Sequence, residues 1–109
     1  MFFNLFKRKK RSEYPDGWEM GERLNGKHIK YVTERRDDED YVIGKDGALI
    51  VKGDVLLVFS SADVVFRCKL DDLQASELLS LEGVILNGPD IEHDGEFRSV
   101  IAYYTYYIK

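Results

Sequence analysis

The sequence contains a single cysteine, Cys68, among its 109 residues. One cysteine excludes an internal disulfide framework and a thiolate metal cluster. Only two histidines are present, His28 and His93, whereas a metal site requires several ligands brought together. Two prolines and nine glycines exclude the collagen-like and proline-rich classes.

Long hydrophobic runs are also missing. The longest uncharged stretch, from Ser99 to Ile108, has ten residues, about half of the roughly 20 that a membrane-spanning helix needs. The first residues do not read as a secretory signal, because their basic residues follow a short apolar stretch instead of preceding a longer one. We therefore expect a cytoplasmic protein.

Apolar residues make up 44% and charged residues 33% of the chain, an ordinary globular mixture. The net charge is −4, but an unbroken basic run occupies residues 7–11. Without those five residues, 11 Lys and Arg face 20 Asp and Glu, which leaves −9. This acidic remainder argues against a broad nucleic-acid-binding face. We expect an appendage at residues 1–13 and one β-rich domain at residues 14–109.

The appendage combines an apolar tip with the basic run, a pattern typical of segments that bind anionic membrane surfaces. A solvated tail, a nuclear-import signal and a local nucleic-acid contact are the alternatives. The candidate membrane contacts are Phe2, Phe3, Leu5, Phe6, Lys7, Arg8, Lys9, Lys10 and Arg11. We expect such binding to be weak and salt-sensitive, at the inner face of the membrane.

Turn residues recur at short intervals from Tyr14 onward, and short β-branched or aromatic runs lie between them. This spacing predicts a mainly β fold, either a small antiparallel barrel or a strongly bent sheet of about seven strands. The turn signals include Pro15-Asp16-Gly17, Asn25-Gly26, Asp46-Gly47, Gly53-Asp54 and Asp94-Gly95. The predicted strands are His28–Thr33, Tyr41–Ile43, Ala48–Val51, Val55–Phe59, Asp63–Leu70, Val84–Leu86 and Phe97–Ile108.

Three segments need a separate interpretation. The run Val55–Phe59 is apolar at every position, which predicts a strand that is covered on both faces. Residues 71–82 fit a helix or a strand, and the density of neighbouring strands favours a strand at Leu73–Leu79. A helix there would make the fold α+β. The acidic block Asp37–Asp40 predicts an exposed hairpin loop, with an acidic docking patch as the alternative.

The residues Gly47–Val51, Val55–Phe59 and Leu70-Asp71-Asp72-Leu73 resemble the bacterial pleckstrin-homology-like, or GRAM-like, domains. The likeness covers residues 44–108 and concerns the apolar pattern. It implies a small bent antiparallel barrel used at membranes or as a protein-binding module. Members of that family commonly close the barrel with a C-terminal helix, whereas this chain ends in a strand-like segment. That closing Ala-Tyr-Tyr segment is also similar to the ends of small bacterial proteins.

The sequence offers few candidates for metal-binding or catalytic residues. Asp90, Glu92, Asp94 and Gly95 match the beginning of a calcium loop, but the twelfth position, which needs a bidentate carboxylate, is Ile101. We therefore expect a solvated turn that joins two strands. Cys68 follows Val64 and Phe66 on one strand face, which is typical of a cysteine in a core. We expect no catalytic residues, no metal and no cofactor.

The last strand is rich in tyrosine. Strand alternation places Tyr104 and Tyr106 with Val100 and Ala102, and Tyr103 and Tyr107 on the opposite face. Tyrosine is enriched at interfaces that are dry on one side and wet on the other, so the candidate partner-binding residues are Tyr103, Tyr104, Tyr106 and Tyr107.

These observations leave three main hypotheses for the function, with RNA binding through the basic run as a minor fourth. The first is a non-catalytic binding module held weakly at a membrane surface by its appendage. The second is a homodimeric protein-interaction domain that uses the tyrosine strand. The third is a small metal-dependent enzyme that uses residues 90–96.

Overall fold

The computed structural model describes residues 16–105. A short helix, α1, precedes seven strands, which form a single antiparallel sheet. The elements are α1 Gly17–Leu24, β1 His28–Arg36, β2 Glu39–Lys52, β3 Val55–Ser60, β4 Asp63–Lys69, β5 Gln74–Glu77, β6 Gly83–Asp90 and β7 Glu96–Tyr104. The sheet is strongly bent and does not close into a barrel, which confirms the predicted mainly β fold. No helix in this part of the chain is long and apolar enough to cross a membrane.

The strands lie in the order β4-β3-β2-β1-β7-β6-β5. Neighbouring strands follow one another in sequence except at the centre, where β7 pairs with β1. Ile29 faces Tyr104 and Glu34 faces Val100 across that pair. The last strand therefore joins the two hairpin-built halves of the sheet through contacts that are distant in sequence.

The core fills the concave side of the sheet, and α1 covers part of it with Met20 and Leu24. Leu56–Val58 of β3 are all buried, as predicted for a strand that is covered on both faces. The other buried apolar side chains alternate along the strands, as expected for a half-buried sheet. They include Ile29, Val32, Leu49, Phe66, Cys68, Val84, Leu86, Val100, Ala102 and Tyr104.

The helix α1 was not predicted, because Pro15-Asp16-Gly17 was interpreted as a turn. Asp16 is in fact the N-cap: its carboxylate accepts from the Glu19 backbone amide, and the Glu19 side chain accepts from the Asp16 amide. This reciprocal capping box satisfies two amides that would otherwise lack a partner. The Asp-x-x-Glu spacing followed by Met20 and Leu24 was therefore the available signal.

Two predicted strands, Tyr41–Ile43 and Ala48–Val51, are one continuous strand, β2. The predicted turn at Asp46-Gly47 is wrong: Asp46 has φ +49, but the strand pairing continues through it. Ser60 supports this bent region, since its hydroxyl accepts from the Lys45 amide at 2.9 Å and donates to the Lys45 carbonyl at 3.1 Å. An irregular residue inside a ladder bends a strand without ending it.

The hairpin between β1 and β2 is confirmed. Asp37 and Asp38 form its tip and both have positive φ, as the favoured two-residue hairpin turns require. The strand predicted at Leu73–Leu79 is confirmed over Gln74–Glu77, which form β5, and the alternative helix is wrong. β5 pairs with β6 through Ala75 and Leu86, so the neighbouring strand decides the conformation that local propensity left open.

Gly88 lets β6 pass close to β4. A methyl group on Gly88 would lie 2.6 Å from Sγ of Cys68 and 3.2 Å from the Asp72 carbonyl oxygen. We expect Gly88→Ala to lower the free energy of unfolding by about 1–3 kcal/mol, because β4 and β6 must move apart to make room for the methyl group. Urea denaturation measures this change. The exposed-site control Ser76→Ala should remain within about 0.5 kcal/mol of the unaltered chain, and an equally small change in Gly88→Ala would contradict the prediction.

Candidate binding surface

The two described tyrosines of the C-terminal strand lie on opposite faces of the sheet. Tyr104 is 4% exposed in the core, its hydroxyl donates to Glu77 at 2.9 Å, and the Lys27 ammonium lies 5.0 Å from its ring centroid. Tyr103 is half-buried on the outer face. Of these two rings, that of Tyr103 is therefore the more accessible to solvent. Tyr106 and Tyr107 lie outside the described residues.

A groove of about 410 Å³ opens on the outer face of β1, β2 and β7. Tyr31 and Tyr103 pair across β1 and β7, and their ring centroids lie 4.6 Å apart with the planes inclined by 36°. Val42, which is 58% exposed, and Thr33 continue the lining. We call this surface the tyrosine groove.

Two exposed lysines, Lys30 and Lys45, also line the tyrosine groove. The Lys30 ammonium lies 5.9 Å from the Tyr31 ring centroid. The carboxylate at this groove, Asp40, is already paired with Arg35 at 2.8 Å. The groove is therefore locally cationic on a chain whose net charge is negative, a combination that attracts anionic groups.

The second polar feature is a buried charge cluster of Glu34, Asp90 and Arg98. Arg98 is 8% exposed and holds Glu34 with two parallel hydrogen bonds, Nε to Oε2 at 2.9 Å and Nη2 to Oε1 at 2.6 Å. This bidentate geometry is the strongest form of the arginine–carboxylate pair. Arg36 adds a further bond to Glu34 from the solvent side, at 2.7 Å.

Asp90 completes the charge cluster and is fully buried. Its Oδ1 accepts from the backbone amides of Arg67 at 3.0 Å and Glu92 at 2.9 Å. Its Oδ2 is bonded to Nη1 of Arg98 and to Nδ1 of the half-exposed His93, at 2.8 Å from the latter. The predicted β6–β7 turn is confirmed, but the expectation that all of it is solvated is wrong for Asp90.

The hydrogen bonds shift the pKa values of the cluster. Hydrogen bonds from Arg98, opposed by burial and assisted by Arg36, lower the pKa of Glu34 from its ordinary value of 4.5 to about 2. Burial raises the pKa of Asp90, but the bonds from Arg98, Arg67, Glu92 and His93 outweigh it, so that pKa is also lowered. The same pairs raise the pKa of Arg98. All three groups are therefore charged at neutral pH.

The charge cluster links the edge strand β4 to β6 and β7. Arg98 on β7 donates to the Val65 carbonyl at 3.1 Å, and Asp90 on β6 accepts from the Arg67 amide. These side chains form hydrogen bonds with the backbone of the edge strand β4. In a closed barrel, a neighbouring strand would make such bonds instead. This role is not among those predicted from the sequence. The available signal was Arg98, which alternates with Val100 and Ala102 on the predicted core face.

Cys68 is fully buried in the core, as predicted. Burial, assisted by the charges of Asp72 and Asp90, raises the pKa of the thiol to about 11. We expect the native protein to resist iodoacetamide at pH 8, because the reactive thiolate is scarce and covered. Mass spectrometry before and after addition of urea measures this. Native-state alkylation as fast as in urea would contradict it.

Within residues 16–105, no group of three or more His, Cys, Asp or Glu side chains is arranged to hold a metal ion. Two of the four carboxylates of the 90–96 turn have other partners: Asp90 lies in the charge cluster, and Glu92 forms a 2.8 Å pair with Arg67.

Comparisons with family models, with curated proteins and with solved structures found no match to this chain. The resemblance to pleckstrin-homology-like domains therefore stays a prediction.

Proposed function

We propose that this chain is a non-catalytic protein-binding module and that the tyrosine groove is its binding surface. The observation that carries this proposal is the accessible Tyr31–Tyr103 pair with two exposed lysines beside it. Half-exposed aromatic side chains are typical of the centres of protein interfaces, since they bury a large area at a small entropic cost.

The chemistry of the groove indicates its ligand. Tyr31, Tyr103 and Val42 provide an apolar lining, while Lys30 and Lys45 provide positive charge. A protein segment that carries apolar side chains flanked by carboxylates matches both properties. A positively charged segment would place like charges beside the two lysines. The groove should therefore bind an acidic segment more tightly than a basic one.

Two observations support a role without catalysis. The three buried charged groups are occupied by one another and by the sheet: Asp90 and Arg98 bond the backbone of β4, and Glu34 bonds Arg98. Cys68, the one thiol of the chain, is buried with a raised pKa, the opposite of what a nucleophilic cysteine needs.

The test uses a short fluorescent peptide in which two leucines are flanked by glutamates, titrated into the full chain. We expect saturable binding with a Kd of tens of micromolar, roughly the range of small transient contacts. The double variant Lys30→Glu, Lys45→Glu should weaken binding at least about tenfold, because like charges then face each other.

Two controls complete this test. Lys52→Glu alters an exposed lysine at the end of β2, outside the groove, and should bind the peptide normally. A peptide with lysines in place of the glutamates should bind poorly. Absence of binding to the unaltered chain, or equal binding by the groove variant, would overturn the proposal.

Membrane association through the appendage is the second proposal. It depends on the sequence pattern of residues 2–11, an apolar tip followed by five basic residues, and these residues lie outside the described part of the structure. The bound surface would be anionic lipid on the cytoplasmic side. Co-sedimentation with anionic vesicles at low salt should retain the full chain and release a variant that lacks residues 1–12. If both remain in the supernatant, the membrane role is overturned.

A further inference from the structure

The loop between β5 and β6 exposes two leucines. Leu79 is fully exposed and Leu81 is 60% exposed. These two side chains contribute no hydrophobic stabilisation to the folded chain, because they remain exposed to water. Such exposed apolar groups mark interaction sites when they are clustered.

The loop is held in one shape by backbone hydrogen bonds. The Leu78 amide donates to the Gly83 carbonyl at 2.9 Å, and the Leu81 amide donates to the Leu78 carbonyl at 2.8 Å. Leu81 has φ +65, a left-handed conformation that is unfavourable for a residue with a Cβ. A strained residue that holds an apolar side chain in solvent is a reason to look for a binding role.

The loop adjoins the tyrosine groove on the same molecule. The Tyr104 amide donates to the Glu82 carbonyl at 2.9 Å, and Gly83 is the register partner of Tyr103. The loop is therefore the segment of backbone next to Tyr103 at the ends of β6 and β7. The high exposure of Leu79 shows that the loop does not fill the groove of its own chain.

The loop and the groove carry opposite charge. The exposed residue Glu82 follows the leucines, whereas the exposed lysines Lys30 and Lys45 line the groove. The carboxylate of Glu77, by contrast, accepts from the core hydroxyl of Tyr104. A surface with an acidic apolar half beside a basic aromatic half is complementary to itself under a twofold rotation. A second copy thus offers the ligand that the groove chemistry indicates.

We infer that the tyrosine groove receives the Leu79–Leu81 loop of a second copy of this chain, in a symmetric dimer with two such contacts. This inference rests on the proposed binding role of the groove and names its occupant. In each contact, Leu79 and Leu81 lie against the tyrosine pair, and Glu82 lies against the lysines. The dimer buries the exposed leucines of both copies.

A charge exchange tests the inference on the full chain by sedimentation velocity and native mass spectrometry. Lys45→Glu and Glu82→Lys each place like charges together in both contacts of a dimer. Each variant alone should therefore show a dimer Kd raised at least about tenfold. Mixed together, the two variants form a heterodimer in which both contacts pair opposite charges, and its Kd should return to within about threefold of the unaltered value.

Matched variants separate this contact from a general effect of charge or of unfolding. Lys52→Glu and Glu22→Lys make the same charge changes at exposed positions, and both should dimerise normally. Leu81→Gly removes the side chain together with its left-handed strain, so it should keep or raise the melting temperature while weakening the dimer.

The outcomes distinguish the two proposals. A monomeric chain that still binds the leucine–glutamate peptide overturns the dimer and leaves the groove as a binding surface. A chain that neither dimerises nor binds the peptide overturns both. A dimer that is unaffected by either charge variant, or one that the mixture fails to restore, overturns the proposed contact.

Discussion

Arg98→Met is expected to lower the free energy of unfolding by about 3–5 kcal/mol. Arg98 is buried and bonds both carboxylates of the charge cluster, Glu34 and Asp90. Methionine retains much of the apolar stem of Arg98. It leaves Glu34 and Asp90, which are both buried, without the guanidinium group that bonds them. The lost bond to the Val65 carbonyl also removes one of the side-chain bridges to the edge strand β4.

Urea denaturation at neutral pH measures this loss, with Arg35→Met as the matched control. Arg35 also pairs with a carboxylate, Asp40 at 2.8 Å, but both side chains are exposed. Exposed pairs contribute at most about 1 kcal/mol, so the control should change little. A loss below about 1 kcal/mol for Arg98→Met would show that the cluster does not hold the sheet together.

The protein should also lose stability in acid, between about pH 5 and pH 2. Folding lowers the pKa of Glu34 from 4.5 to about 2, so the unfolded chain binds more protons throughout that interval. The contribution is complete above the unfolded pKa and is lost as the pH falls towards the folded pKa. It amounts to about 2 kcal/mol for Glu34 after allowance for solvent screening. Asp90, whose pKa is also lowered, acts in the same direction.

Urea denaturation at a series of pH values checks this expectation. Glu34→Gln should be less stable at pH 6 and should lose less stability on acidification, because the group that takes up the proton is gone. Glu22→Gln, on the exposed side of α1, should keep the slope of the unaltered chain. Equal slopes for Glu34→Gln and the unaltered chain would mean that Glu34 is not the titrating group.

Most of the secondary structure could be predicted from local pattern. Turn residues and short alternating runs indicated about seven antiparallel strands, and the exposed hairpin loop predicted from the acidic block is the β1–β2 turn at Asp37-Asp38. Errors arose where two local signals compete. Asp16-Gly17 is both a turn signal and the start of a capped helix, and Asp46-Gly47 is both a turn signal and a tolerated irregularity within a strand.

The candidate binding surface was predictable only in part. Alternation along β7 placed Tyr103 and Tyr104 on opposite faces, and the structure places only Tyr104 in the core. The partner of Tyr103 was not predictable, because Tyr31 comes from the far end of the chain and reaches it only through the pairing of β1 with β7. Nor could the sequence show that Leu79 and Leu81 would remain in solvent.

The class of the fold, the succession of hairpins and the apolar face of each strand are predictable from the residues alone, since they depend on positions close together in the chain. The pairing of β7 with β1, the contact of Arg98 with Glu34 across 64 residues and the cationic aromatic groove arise only when the whole chain has folded. Long-range pairing depends on how the whole chain fills its core and satisfies its buried charges, and no local pattern encodes that choice.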